Sequence, residues 1–138
     1  MTLVMCYDGT RSAKRALGLI PEYIKDTDTK VYIFTSLEGE QSFSADEETA
    51  ITADAVTKAE ARLEYAKKFL ESYKLSAETH LHMQGLDPGE DIVKFADEVK
   101  ADFIVVGIAK KSRLGKMIFG STAQYVILKA HCPVVSVS

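Results

Sequence analysis

The sequence predicts an α/β domain, a five-stranded parallel sheet covered by helices on both faces. Three observations carry this expectation. Short apolar, β-rich runs alternate with segments of helical period along the 138 residues. Several of those runs are nearly continuous hydrophobe, the pattern of strands buried on both faces. A chain reading β-α-β-α-β-α-β-α-β also forces right-handed crossovers, which set parallel strands side by side beneath helices.

Strands are expected at Leu3–Cys6, Lys30–Ser36, Ala77–Met83, Phe103–Gly107 and Val134–Val137. The first helix opens at a cap among Asp8-Gly9-Thr10 or Ser12 and runs to about Ile24. Ala13, Ala16, Leu17 and Ile20 recur along it at i, i+3, i+4 and i+7. The second and longest helix runs from about Ala50 to Tyr73, striped by Val56, Ala59, Leu63, Ala66, Phe69 and Leu70. The third begins near Pro88, a residue suited to a first helical turn, and continues to Val99. The fourth starts at Gly120-Ser121 and continues to Ala130. The stretch Leu37–Glu48 is polar and without period, and is expected to be a mobile loop. No repeat, low-complexity tract or linker divides the chain, so one domain over 1–138 is expected.

A chain that is 46% hydrophobic has enough apolar side chains for one core without disulfides or a structural metal. Cys6 and Cys132 stand outside any Cys-x-x-Cys or Cys/His cluster and are expected to be reduced thiols acting as small hydrophobes. The N-terminal apolar run stops at Asp8, has no basic flank and is too short for a signal peptide. No apolar run approaches the roughly 20 residues of a membrane helix, so the expected location is cytoplasmic, with no membrane partner. Seventeen basic residues against 20 acidic ones give a net charge of −3, which disfavours nucleic acid. The charge is uneven: Lys110, Lys111, Arg113 and Lys116 cluster, and no acid follows Asp102.

In a sheet of this kind ligands sit beyond the carboxyl ends of the strands, where strand order reverses. That directs attention to Cys6–Gly9, Thr35–Leu37 and the segment from Gly107 onward. Gly107 ends the fourth strand, and a glycine-punctuated loop then leads to Gly120-Ser121-Thr122 at the start of the fourth helix. A helix N-terminus offers unpaired N–H groups and partial positive charge. Gly120 would let an anion approach the backbone, and Ser121 or Thr122 adds a hydroxyl. The competing reading is a plain N-cap. Gly115-Lys116 is not a Walker A loop, which would need glycine at Lys110 and a hydroxyl at Met117. Asp8 either caps the first helix, accepts a ribose hydroxyl or helps hold magnesium.

Leu3-Val-Met-Cys-Tyr-Asp-Gly-Thr-Arg-Ser, Gly85-Leu-Asp-Pro, Ala101-Asp-Phe-Ile-Val-Val-Gly107, the Gly120-Ser-Thr-Ala helix start and Cys132-Pro-Val-Val-Ser-Val together resemble the universal stress protein family. The resemblance spans nearly the whole chain and is weakest over 38–57. It implies an adenine-nucleotide-binding, Rossmann-like α/β sandwich with sheet order 3-2-1-4-5, acting as a homodimeric sensor or switch. Nucleotide-binding members carry Gly, two residues, Gly, nine residues, Gly, then Ser or Thr. On this sequence those positions are Gly107, Lys110, Gly120 and Ser121, so lysine stands where the second glycine belongs. Glycine there would reach φ > 0 and admit phosphate oxygens. Lys110 either clamps phosphate with its ammonium or marks partial loss of the site, and the added cation favours the clamp. The resemblance further places Asp8 beside ribose, Cys6 and Ser36 at adenine through their backbones, and Thr122 beside the phosphate pair. The implied ligand is ATP or another adenine nucleotide, with or without Mg2+. The alternative is a nucleotide-independent dimer acting through unidentified protein partners.

His80 and His82 share one face of the third strand, but no Cys, Asp or Glu nearby in sequence completes a metal set. His131 at a helix end suits the dipole. No Ser/His/Asp order or Gly-x-Ser-x-Gly elbow is present, so no catalytic residue is assigned. At most, slow ATP hydrolysis or self-phosphorylation at Ser121 or Ser112 is expected. The terminal strand Val134–Val137 falls at a sheet edge in the implied order. An apolar edge strand needs cover, and in the family it mediates dimer pairing, so a twofold homodimer through this strand is expected.

Overall fold

The computed structural model of the protein describes residues 1–37, 53–83, 87–109, 111–118 and 120–138. Strand β1 (Thr2–Cys6) lies at the centre of the sheet, because Leu3, Val4 and Met5 are apolar in succession and wholly buried. It pairs in parallel with β2 (Lys30–Ser36) on one side and β4 (Phe103–Gly107) on the other, Leu3 standing opposite Val31 and Phe103. Outside these lie β3 (Ser76–His82) and β7 (Val134–Val137), giving the order β3-β2-β1-β4-β7. That is the implied 3-2-1-4-5 order. β3 begins and ends one residue earlier than Ala77–Met83.

Helices α1 (Arg11–Tyr23) and α2 (Ala53–Glu71) cover one face, where Ala16, Leu17, Ile20, Leu63, Ala66 and Leu70 meet the alternate strand residues Leu3, Met5, Val31 and Ile33. Helices α3 (Pro88–Glu98) and α4 (Ser121–Lys129) cover the other, where Ile92, Phe95, Ala96 and Val126 meet Val4, Phe34 and Ile104. Thr10 caps α1 by accepting from the Ala13 N–H at 3.3 Å, which selects it among the capping residues considered. Asp87 caps α3 and Pro88 occupies its first turn. The expected start of α2 at Ala50 lies outside the described residues. His131 pairs with Asp97 at 2.9 Å and joins the C-terminal ends of α4 and α3.

Two expectations need correction. Leu37 does not begin a loose polar loop: it is 1% exposed, its apolar side chain drawn into the core, while 38–48 lies outside the described residues. The loop after Gly107 holds an antiparallel hairpin of β5 (Lys111–Arg113) and β6 (Lys116–Ile118). Leu114 and Gly115 turn it with φ of 52° and 74°, the two left-handed residues that a tight hairpin requires.

Both cysteines are free thiols. Among the described residues no helix is long and apolar enough to cross a membrane. β7 is an edge strand with Val135 46% exposed, and beside it an apolar groove of about 360 Å³ runs between β7 and α1, lined by Leu19, Ile20, Tyr23, Phe103 and Val135.

Candidate functional site

The carboxyl ends of β1, β2 and β4 open into a cleft of about 330 Å³ that the N-terminal turns of α1, α3 and α4 also face. Cys6, Asp8 and Ser36 line it from the β1 and β2 ends. Gly107, Gly120, Ser121 and Thr122 line it from the β4 end and the α4 start. The structure thus gathers every described site residue expected from sequence into one cavity. Lys110, the remaining one, lies outside the described residues.

The end of β1 is fixed to β2 by two bonds. The Tyr7 N–H donates to the Phe34 carbonyl at 2.9 Å, and the Thr35 hydroxyl donates to the Tyr7 carbonyl. These hold Phe34 and Ser36 against the cleft. Burial pushes the Cys6 thiol up to about 12, and the nearby Asp8 carboxylate adds to that shift. Burial likewise raises the Tyr7 phenol, with Tyr65 and Asp8 contributing and Arg62 opposing. Neither group supplies an anion near neutral pH, so both act as packing and polar contacts rather than nucleophiles.

Asp8 is exposed, and its Oδ1 accepts from the Thr10 N–H at 3.0 Å and the Thr10 hydroxyl at 2.6 Å. The capping alternative therefore resolves into a relay. Asp8 orients Thr10, Thr10 caps α1, and these bonds leave Oδ2 as the oxygen able to take a further donor. Thr10 and Ser12 themselves line the cleft, and sequence reasoning read them only as caps.

The two glycines expected to cradle phosphate differ in kind. A Cβ on Gly107 would stand 2.6 Å from the Ala13 nitrogen and 2.7 Å from the Ser12 carbonyl oxygen. Glycine is needed there because the first turn of α1 presses on the end of β4. Gly120 has φ −61° and ψ 148°, open to any residue, and its Cβ would meet nothing within 4 Å. It caps α4 without a side-chain bond, so the first N–H groups of that helix face the cleft unpaired by a cap. An anion fits this end on sterics and charge.

Phe34, Pro88 and Ile92 form apolar walls that sequence reasoning did not assign to the site. Phe34 is 1% exposed and packs with tilted rings 4.5 Å from His82 and 5.2 Å from Phe95 between centroids. His82 Nδ1 lies 3.1 Å from Asp91 Oδ1, so this histidine is satisfied by α3 behind the cleft wall. His80 packs 4.6 Å from Phe95. Among the described residues no group of three His, Cys, Asp or Glu side chains could hold a metal ion.

A family model described as "Universal stress protein family" matches residues 1–138. A universal stress protein of Methanocaldococcus jannaschii is 40% identical over 75 residues, covering 54% of this chain and 43% of that relative. This chain therefore matches less than half the length of that curated relative. A solved universal stress protein from Archaeoglobus fulgidus superposes with a TM-score of 0.80 at 33% identity, over 100% of this chain and 93% of that one. The A. fulgidus universal stress protein in complex with dAMP gives 0.74 at 29% identity, over 100% and 98% of the two chains.

Proposed function

The chain belongs to the universal stress protein family, and from that premise we propose that it binds an adenine nucleotide, ATP among them, in the cleft at the carboxyl ends of β1, β2 and β4. The observation that supports this most is the convergence of Asp8, Ser36 and the α4 start on one cavity of about 330 Å³. In this reading adenine lies between the β1 and β2 ends against Phe34 and Ile92. Asp8 Oδ2 accepts from a ribose hydroxyl, and a phosphate meets the open N–H groups at Gly120, Ser121 and Thr122. The A. fulgidus relative solved with dAMP supports the same ligand class. Among the described residues of the cleft no base is set to activate water, and we read the protein as a sensor or switch rather than a fast hydrolase.

Isothermal titration with AMP, ADP, ATP and cyclic AMP, with and without magnesium, tests the reading. Binding to the folded state also raises the melting temperature, by about 2.7 kcal/mol of stabilisation at a hundredfold excess over Kd. The absence of both binding heat and a thermal shift at millimolar ligand would sink it. A second reading, nucleotide-independent action through protein partners, is favoured by Lys110 standing at a glycine position. Under it, Lys110→Gly confers an ATP affinity that the parent lacks.

The exposed edge of β7 and the apolar groove beside it support a homodimer through Val134–Val137. A monomeric mass by light scattering at micromolar concentration would count against it.

A further inference from the structure

Ser36 carries a feature that the nucleotide reading above does not use. Its residue lines the cleft, yet its Oγ is buried with no hydrogen-bond partner among the described residues. A buried hydroxyl without a partner is costly, and native proteins leave few of them without a role. Its place in the sheet says where the hydroxyl is directed. Ser36 is two residues beyond Phe34 on β2, so the two side chains share the face that looks toward α3 and the cleft. Its register partner on β3 is His82, and the His82 ring is already committed to Asp91 at 3.1 Å and to Phe34 at 4.5 Å. The hydroxyl is therefore buried beside the cleft its residue lines, and reaching a ligand there requires a rotation between staggered χ1 wells.

We propose that the Ser36 side chain is a specificity-determining contact that hydrogen-bonds the exocyclic amine of the bound base. The inference rests on the nucleotide-binding reading and adds to it, since the backbone contact expected at this position is independent of side-chain identity. A hydroxyl accepts from an amine as readily as it donates. A site built around a hydrogen bond rejects an analogue lacking the partner group more strongly than an apolar wall would. Phe34 and Ile92 supply the apolar walls, and Ser36 supplies a polar group at the end of the base.

The test titrates the parent, Ser36→Ala and Ser36→Thr with AMP and with purine riboside monophosphate, which lacks the exocyclic amine. Ser36→Ala should weaken AMP about five- to tenfold, the worth of one such bond. It should leave purine riboside monophosphate within about twofold, and Ser36→Thr should restore AMP binding. Because the hydroxyl has no partner among the described residues, the melting temperature of Ser36→Ala without ligand should equal or exceed the parent's. Equal losses for both ligands, no loss for AMP, or a destabilised free protein would each overturn the contact. If the parent binds neither ligand, the nucleotide reading itself fails, and this inference with it.

Discussion

Replacing Gly107 by alanine should destabilise the protein, whereas the same change at Gly120 should not. The added Cβ at Gly107 would lie 2.6 Å from both the Ala13 nitrogen and the Ser12 carbonyl carbon. Ordinary contact begins at 3.4 Å, so about 0.8 Å of overlap must be relieved. All of the atoms met belong to backbone, so no rotamer change relieves it, and the first turn of α1 has to slide off β4. Overpacking of this kind costs about 2–3 kcal/mol when the neighbours cannot rotate. For a chain of this size that is a melting temperature lower by roughly 6–12 °C. At Gly120 the new methyl meets nothing, and φ of −61° suits alanine. The reduced freedom of the unfolded chain offsets the weaker N-cap, leaving a change within about 0.5 kcal/mol. That methyl would occupy open space beside the α4 start, where the proposed phosphate lies, so nucleotide affinity should fall about tenfold, as when one charge-assisted bond is lost. Urea unfolding with a common slope reads the stabilities, and calorimetry reads the affinities. Parent-like stability in Gly107→Ala, or an equal loss in Gly120→Ala, would refute the division of labour between the two glycines.

Further outcomes are expected at other sites. His82→Ala leaves the Asp91 carboxylate, 3% exposed, without the bond it now makes, and should cost about 2–3 kcal/mol in urea unfolding. Leu114→Asn should stabilise the hairpin turn by about 0.5–1 kcal/mol, because asparagine tolerates the observed φ of 52° better than leucine. With Cys132 replaced by serine, Cys6 should react with a disulfide reagent at pH 8 about a thousandfold more slowly than a free thiol. Raising its pKa from 9.0 to about 12 cuts the thiolate fraction by that factor. For the same reason stability should fall as pH rises above 9.0 toward 12, where the unfolded chain releases the Cys6 proton and the folded one retains it. Unfolding curves across that interval check the sign.

What could be read from sequence followed the range of the physics involved. Phe103–Gly107 and Leu3–Cys6 announced themselves because a strand covered on both faces must be apolar throughout. The α1 stripe of Ala13, Ala16, Leu17 and Ile20 is likewise local, and all four are buried. The β5–β6 hairpin was not legible, since its strands are three residues long and leucine fills a turn position that asparagine or glycine usually signals. Spacing located Gly107 and Gly120 but did not separate their roles. The overlap at Gly107 comes from Ser12 and Ala13, distant in sequence and brought there by the β1–β4 pairing. Phe34, Pro88 and Ile92 escaped assignment because an apolar cleft wall and an apolar core position have the same composition. Only the placement of the β2 end beside the α3 start distinguishes them.

The order of the sheet sets a clock on the cleft. With β1 in the middle, the walls come from widely separated segments of the sequence: Cys6 to Ala13 on one side, Gly120 to Ala123 on the other. A ribosome makes about 5–20 residues per second, N-terminus first, so a nascent chain possesses Asp8 and its capped helix seconds before α4 exists. Under the proposed function, nucleotide would not hold together a product lacking α4, because the turn that would meet the phosphate emerges after the other walls of the cleft. Occupancy of the cleft would thereby require α4 to be in place, and a bound nucleotide would report a completed cleft instead of guiding its assembly.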